Sequence, residues 1–281
     1  MNTYLWLIRR EIWENRAIWT IPAALGILLA LAALFGRIDV DVASADAHRA
    51  NVEMGLFAVG AAFFAVMSIY CTWYLLDCLY ADRKDRSVLF WKSMPISDSA
   101  TVLSKVFLAL IGIPLVYFVT SDTASVLMAF IVSLRTRGSL AGTIWRPSMW
   151  LELQGLWLYA IASAAIWYLP LAGALLIISA WAKRAVLLWS TLLPVAAILA
   201  ERVFLGSHVV AQLLDYRMFG YGPVAFHVNA NAAFEATSIG GADITPDPLG
   251  FLSNTATWIG AAAGVLLIFG AIQLRLRRTE P

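Results

Sequence analysis

Long apolar runs alternate with short polar segments along this chain, and the alternation predicts helices that cross a bilayer. The first run, Ala17 to Phe35, is 19 residues without a charge, enough for one span. The second, about Met54 to Tyr80, is long enough to tilt, and residues 36–54 before it read as a short loop. The third region, 101–134, carries Lys105, Pro114 and a polar break at Ser121-Asp122-Thr123. As one straight helix it would be about 51 Å long, more than the hydrocarbon core needs. The pattern therefore predicts a span at 102–120, bent at Pro114, then a kinked or surface-lying helix at 123–134. A fourth span is expected from Leu156 to Ile178 with Pro170 inside it. A fifth is expected from Ala185 to about Ala200, and a sixth from Thr255 to about Ile272.

The segments between runs carry the rest of the pattern. Residues 1–16 mix Leu5, Trp6, Ile8 and Trp13 with Arg9, Arg10, Glu11, Glu14 and Arg16. That is too polar to span and reads as an amphipathic helix on the membrane surface. Residues 206–253 form the longest segment between spans. Val209–Leu214 and Val224–Phe234 are expected there as short helices dipping into the outer leaflet, covered by protein. The most organised loop is 81–98. It packs Asp82, Arg83, Lys84, Asp85, Arg86 and Lys92 around Val88, Leu89, Phe90 and Trp91, the composition of a short helix lying at the membrane face.

Composition excludes a soluble domain. Apolar residues make up 61% and charged residues 14%, where soluble domains run near 25% charged; mean hydropathy is +0.76. Twelve Trp and nine Tyr suit a chain that meets lipid headgroups repeatedly. The net charge of +2 says less than its placement. With both termini inside, thirteen of the twenty Lys and Arg residues fall on the inner side, as the positive-inside rule requires. Arg135, Arg137 and Arg146 fall on the outer side and count against it. Cys71 and Cys78 lie in one apolar run, about 10 Å apart by helical rise, too far for a disulfide.

Candidate chemistry is sparse. No phosphate-binding loop, HExxH or CxxC occurs, and the basic residues flank spans instead of forming a nucleic-acid patch. His48, His208 and His227 share no spacing that suggests a metal site. Lys105, Asp77 and Glu201 sit near span ends and read as snorkelling anchors, so no ionisable relay is expected at depth. Tyr70, Trp73, Tyr74 and Trp189 are the candidates for lining a substrate path.

Six spans, an amphipathic N-terminal helix, an inner loop after span 2 and a long outer segment before span 6 resemble the ABC-2 type permeases. The stretch Leu79–Asp98, LYADRKDRSVLFWKSMPISD, is similar to one bacterial branch. That branch reads tyrosine, acidic and basic residues, then FWKS, a proline and a serine–aspartate pair. The turn Ser179–Arg184, SAWAKR, is similar too, less specifically. The resemblance implies an all-α polytopic membrane fold, residues 1–281 forming one permease domain in the bacterial inner membrane with both termini cytoplasmic. It implies an exporter of two permease chains, as a homodimer or with a related permease, and two cytosolic ATPase subunits that hold ATP and Mg. This chain would carry no cofactor. The 81–98 loop would be the coupling helix, with Asp82, Arg83, Lys84, Asp85, Arg86, Phe90, Trp91 and Lys92 facing the ATPase; 206–253 would cap the route on the outer side. The alternatives are a non-transporting sensor or scaffold coupled to an ATPase, a secondary transporter, and an integral-membrane enzyme. The last two lack an ionisable relay and a clustered catalytic set.

Overall fold

The computed structural model describes residues 3–36, 45–84, 97–229 and 243–277. Among these residues, thirteen α-helices and one short hairpin follow in order. The early helices are α1 (Thr3–Glu14), α2 (Ala17–Phe35), α3 (Ala45–Lys84), α4 (Asp98–Phe107), α5 (Ile113–Arg135) and α6 (Ala141–Ile144). Next come α7 (Pro147–Trp167), α8 (Leu169–Trp181), α9 (Val186–Ala200), α10 (Val209–Phe219) and α11 (Tyr221–Ala225). The hairpin β1 (Phe226–Asn229) and β2 (Asp243–Pro246) precedes α12 (Pro248–Ser253) and α13 (Thr255–Arg277). Six helical stretches are long and apolar enough to cross a membrane: Ala17–Phe35, Asn51–Lys84, Asp98–Arg135, Pro147–Trp167, Val186–Leu205 and Thr255–Arg277. The chain is thus a mostly helical, polytopic membrane protein.

Three of the expected boundaries are corrected. Residues 45–53 are the first turns of α3 and not loop; this helix runs for 40 residues, roughly 60 Å by helical rise. The third region is one continuous helical stretch from Asp98 to Arg135, without a surface-lying piece at 123–134. It carries a π-helical segment, Leu108–Gly112, in which Ile113 N donates to Leu108 O. The extra residue falls just before Pro114, which lacks an N–H and would clash with the preceding turn in an unbroken α-helix. The polar break stays helical because Thr120 and Thr123 return their hydroxyls to Val116 O and Val119 O, while Gln154 donates to Asp122 at 2.6 Å. The fourth span is displaced: α7 runs from Pro147 to Trp167, and the chain breaks at Tyr168, where Pro170 interrupts the ladder, before the shorter apolar α8.

Helices this long project past a hydrocarbon core of about 30 Å. At the projecting end Leu56, Met149 and Leu153 form one small core, and Ala129, Leu140 and Ile144 another. There the basic loop finds its explanation. Arg135 Nη1 donates to Ala33 O and Gly36 O at the end of α2, 2.7 Å each, and Arg146 stands 3.9 Å from Glu53. Cations at a helix C-terminus or beside a carboxylate are structural groups, not free topology signals.

The main core joins α3, the α4–α5 stretch, α8 and α13, with Phe63, Leu108, Ile113, Tyr117 and Leu176 among its buried side chains. The α8–α13 crossing is close because two glycines face each other's helix. A methyl at Gly264 would stand 2.6 Å from Leu169 C, and one at Gly173 would stand 2.9 Å from Gly264 O. Both cysteines are free thiols, and Cys71 Sγ donates to Ala109 O.

Of the expected second short helix at 224–234, residues 230–234 lie outside the described residues; over 224–229 the chain forms the end of α11 and strand β1, whose Phe226 pairs with Pro246 and His227 with Thr245. Phe226 alternates with His227 in side-chain direction, and its ring meets Tyr159 and Tyr221 edge-on at 5.4 and 5.9 Å. A two-stranded hairpin is marginal alone; this one is pinned by those aromatic contacts and by Asp247. Asp247 accepts from Gly250 N and stands 2.9 Å from His227 Nε2.

Candidate functional site

Both stems of the 81–98 loop enter one buried layer of charge. Residues 85–96, with Asp85, Arg86, Phe90, Trp91 and Lys92, lie outside the described residues; Asp82, Arg83, Lys84, Ser97 and Asp98 lie inside. Asp82 turns inward at the end of α3. Its Oδ1 stands 3.3 Å from Lys105 Nζ and its Oδ2 3.0 Å from Arg275 Nη1. Lys105 Nζ also reaches Glu11 Oε1 at 2.8 Å, and Arg275 Nε reaches Asp98 Oδ1 at 3.0 Å. Tyr74 donates to the second oxygen of Glu11. Glu11 and Lys105 are each 2% exposed, so this is a desolvated network. Three carboxylates face two cations, and Arg10 stands beside Glu11 at 3.5 Å while pairing with Glu14 at 2.8 Å.

The local sequence explains why these groups meet. Lys105 lies seven residues after Asp98, two turns along α4, so both present to one side of that helix. Ser97 caps α4 by accepting from Ala100 N, which fixes where the helix begins and therefore where Asp98 points. The serine–aspartate pair that closes the recognisable motif is thus a cap plus an ion-pair partner. Arg83 is half-buried and donates to Leu79 O, Ser179 O and, at 2.8 Å, Ala182 O. It caps the C-terminus of α8, where a cation meets unpaired carbonyls. Lys84 is exposed.

Sequence reasoning took Lys105 and Glu201 for snorkelling anchors, and the structure corrects both. Lys105 is held in the charge layer. Glu201 is buried at the opposite end, where its oxygens accept from Ser207 Oγ and from Val209 N and Val210 N, capping α10. The partners Glu11, Asp98 and Arg275 were missed, because the pairs join residues 94 and 177 positions apart. A weak signal was present: Glu11 lies on an otherwise membrane-facing helix, and Lys105 in an apolar run.

Two cavities flank α3. One, of about 370 Å³, lies against the charge layer and is lined by Tyr70, Trp73, Tyr74, Asp77, Glu14, Asp82 and Lys105 among others. The second, of about 500 Å³, is apolar and lies where the π-segment of Ala109 and Leu110, the break at Tyr168, and Leu187 of α9 come together. Trp73 belongs to both walls. Of the four candidate path residues, Tyr70, Trp73 and Tyr74 are thus gathered at one place, with Tyr70 stacked on Tyr117 at 6.2 Å. Trp189 is elsewhere, edge-on to Trp181 at 5.0 Å.

Above the apolar cavity the break at Tyr168 receives α10–α12. Arg217 stacks on Trp167, its Cζ 4.5 Å from the ring centroid, and donates to Trp167 O and Ala256 O. Trp167 Nε1 returns a bond to Arg217 O, and Tyr221 donates to Ala160 O. Only the 13 residues of α8, about 20 Å of helix, separate this cap from the charge-layer end. The cap therefore begins less than one hydrocarbon thickness from that end, and its Tyr221, Ala225 and Phe251 are buried against Ala164 and Trp167 of α7.

The chain matches no protein-family model, no curated protein sequence and no solved structure. The fold defines the class: a polytopic helical membrane protein with six helices long enough to span. It has a buried charge layer at one end and a cap of short helices and a hairpin toward the other.

Proposed function

We propose that this chain is the membrane subunit of an ATP-driven exporter of the ABC-2 type, energised by a separate cytosolic ATPase through the 81–98 loop. One observation carries the reading. The charge layer ties both stems of that loop, at Asp82 and Asp98, to the N-terminal helix through Glu11 and to the last span through Arg275. Force on the loop would reach both stem helices and, through them, α1 and α13 at once, which is what coupling to an external motor needs. The similarity of Leu79–Asp98 to one permease branch points the same way. In this reading the charge-layer end faces the cytoplasm of a bacterial inner membrane, and two copies, or one with a relative, build the route with two ATPase chains. Phe90 and Trp91 are the anchor, since an aromatic pair buries large area at low entropy cost; Arg86 and Lys92 steer the encounter.

The test is the Phe90→Ala/Trp91→Ala double variant, co-expressed with the cognate ATPase subunit and reconstituted. The expected result is normal insertion, with the ATPase lost on purification or its turnover no longer stimulated by substrate. Normal assembly with normal coupling removes the assignment, as does robust ATP hydrolysis by the isolated chain.

A further inference from the structure

The two cavities on either side of Trp73 differ in a way that selects a ligand. The smaller one is polar and its carboxylates outnumber its cations: Glu11, Glu14, Asp77 and Asp82 against Arg10 and Lys105. Three of those carboxylates are engaged. Glu11 and Asp82 hold Lys105, and Glu14 accepts from Arg10 at 2.8 Å. Asp77 is different. It is exposed, lies within the Asn51–Lys84 candidate span, and makes no hydrogen bond or ion pair among the described residues. Its helix places it one turn past Trp73 and Tyr74 and two turns past Tyr70, on one face. A carboxylate that lines a cavity beside aromatic rings is suited to hold a cation. Among the described residues the larger cavity has no charged group in its lining, and at about 500 Å³ it lies in the range of small-molecule sites, roughly 300–1,000 Å³.

We propose that the paired cavities bind an amphiphilic cation, its charged head beside Asp77 against the rings of Tyr70, Trp73 and Tyr74, and its apolar tail past Trp73 in the larger cavity. Aromatic faces and one unpaired carboxylate are the chemistry that holds an ammonium or aromatic cation. An anionic head would meet Asp77 and Glu14 unfavourably, and a neutral amphiphile would leave Asp77 unsatisfied. As a substrate class this rests on the exporter reading; as a binding site it stands on these residues alone.

The experiment uses the full chain without any ATPase, in phosphatidylcholine nanodiscs. The probe is N-dodecylpyridinium, read by its quenching of tryptophan emission. A saturable component is expected, competed by dodecyltrimethylammonium and not by dodecyl sulfate or dodecanol. Asp77→Asn should weaken it roughly tenfold, the scale of one lost ion pair, while Asp77→Glu retains it. Ala165→Phe, which intrudes on the apolar cavity, should abolish the gain of about fourfold per methylene between butyl and dodecyl probes without changing the preference for cations. Binding unchanged in Asp77→Asn, equal competition by dodecyl sulfate, or no saturable component overturns the proposal. Because no ATPase is present, those failures leave the coupling experiment untouched, and failed coupling with intact binding overturns the exporter reading alone.

Discussion

At the residue scale, the decisive side chain is Lys105. It is 2% exposed and is the shared cation of Glu11 and Asp82. Bringing such a group out of water is costly, and its partners offset that cost only while all are present. Removing it leaves Glu11 buried with only the Tyr74 hydroxyl and the longer contact to Arg10, which Glu14 shares. Lys105→Met should therefore destabilise the fold by about 3–5 kcal/mol, measured as a lower unfolding midpoint in detergent micelles. Lys105→Met with Glu11→Gln should recover part of that loss, because the amide still accepts from Tyr74 and no unpaired charge remains. If the double variant is as unstable as the sum of the two singles, the pairing is not what holds this layer. Only a weak trace of this was legible in the sequence. A lysine near the end of an apolar run looks the same whether it snorkels or pairs, and the residues that decide between them are far along the chain.

At the element scale, what the pattern showed well was composition and what it showed poorly was continuity. Span 1 was read to the residue, because Ala17–Phe35 is bounded by charge and by Gly36. The third region was misread, because hydrocarbon thickness limits how much of a helix is buried in lipid and not how long it runs. Side-chain hydroxyls and Asp122 with its Gln154 partner kept the polar break helical. The cap was expected in place but not in form: β1 is set by aromatic contacts with α7, which local propensity does not carry. Its anchor gives a second prediction. Arg217 satisfies two backbone carbonyls and covers Trp167, and a Cβ at Gly260 would fall 1.3 Å from its Nη2. Arg217→Ala should cost about 2–4 kcal/mol through the bared carbonyls and the lost packing. Gly260→Ala should act in the same direction by displacing the guanidinium. The double variant should then be no worse than Arg217→Ala by itself, since both changes break one contact. Additive losses in thermal unfolding would show that Gly260 serves something other than Arg217.

At the scale of the whole molecule, the arginines of 135–146 bear on which way the chain faces. Counted as free charges, Arg135 and Arg146 argue against placing the loop outside. Arg135 caps α2, however, and Arg146 pairs with Glu53, so neither is a clean topology signal. The remaining bias favours the end that holds the charge layer, where the exposed Lys84, Lys183, Arg184 and Arg277 gather. That end should face the cytoplasm. In a chain with Cys71 and Cys78 replaced by Ala, a cysteine at Ser139, exposed in the turn after α5, should react with an impermeant maleimide added to intact cells. A cysteine at Lys84, exposed at the end of α3, should react only after the membrane is opened. Neutralising both paired arginines, as Arg135→Gln/Arg146→Gln, should leave the labelling pattern unchanged while lowering stability, since their work lies at the end of α2 and beside Glu53. Labelling of Lys84→Cys from outside would invert the molecule. The 81–98 loop would then be out of reach of any cytosolic ATPase, and the exporter reading would fall with it.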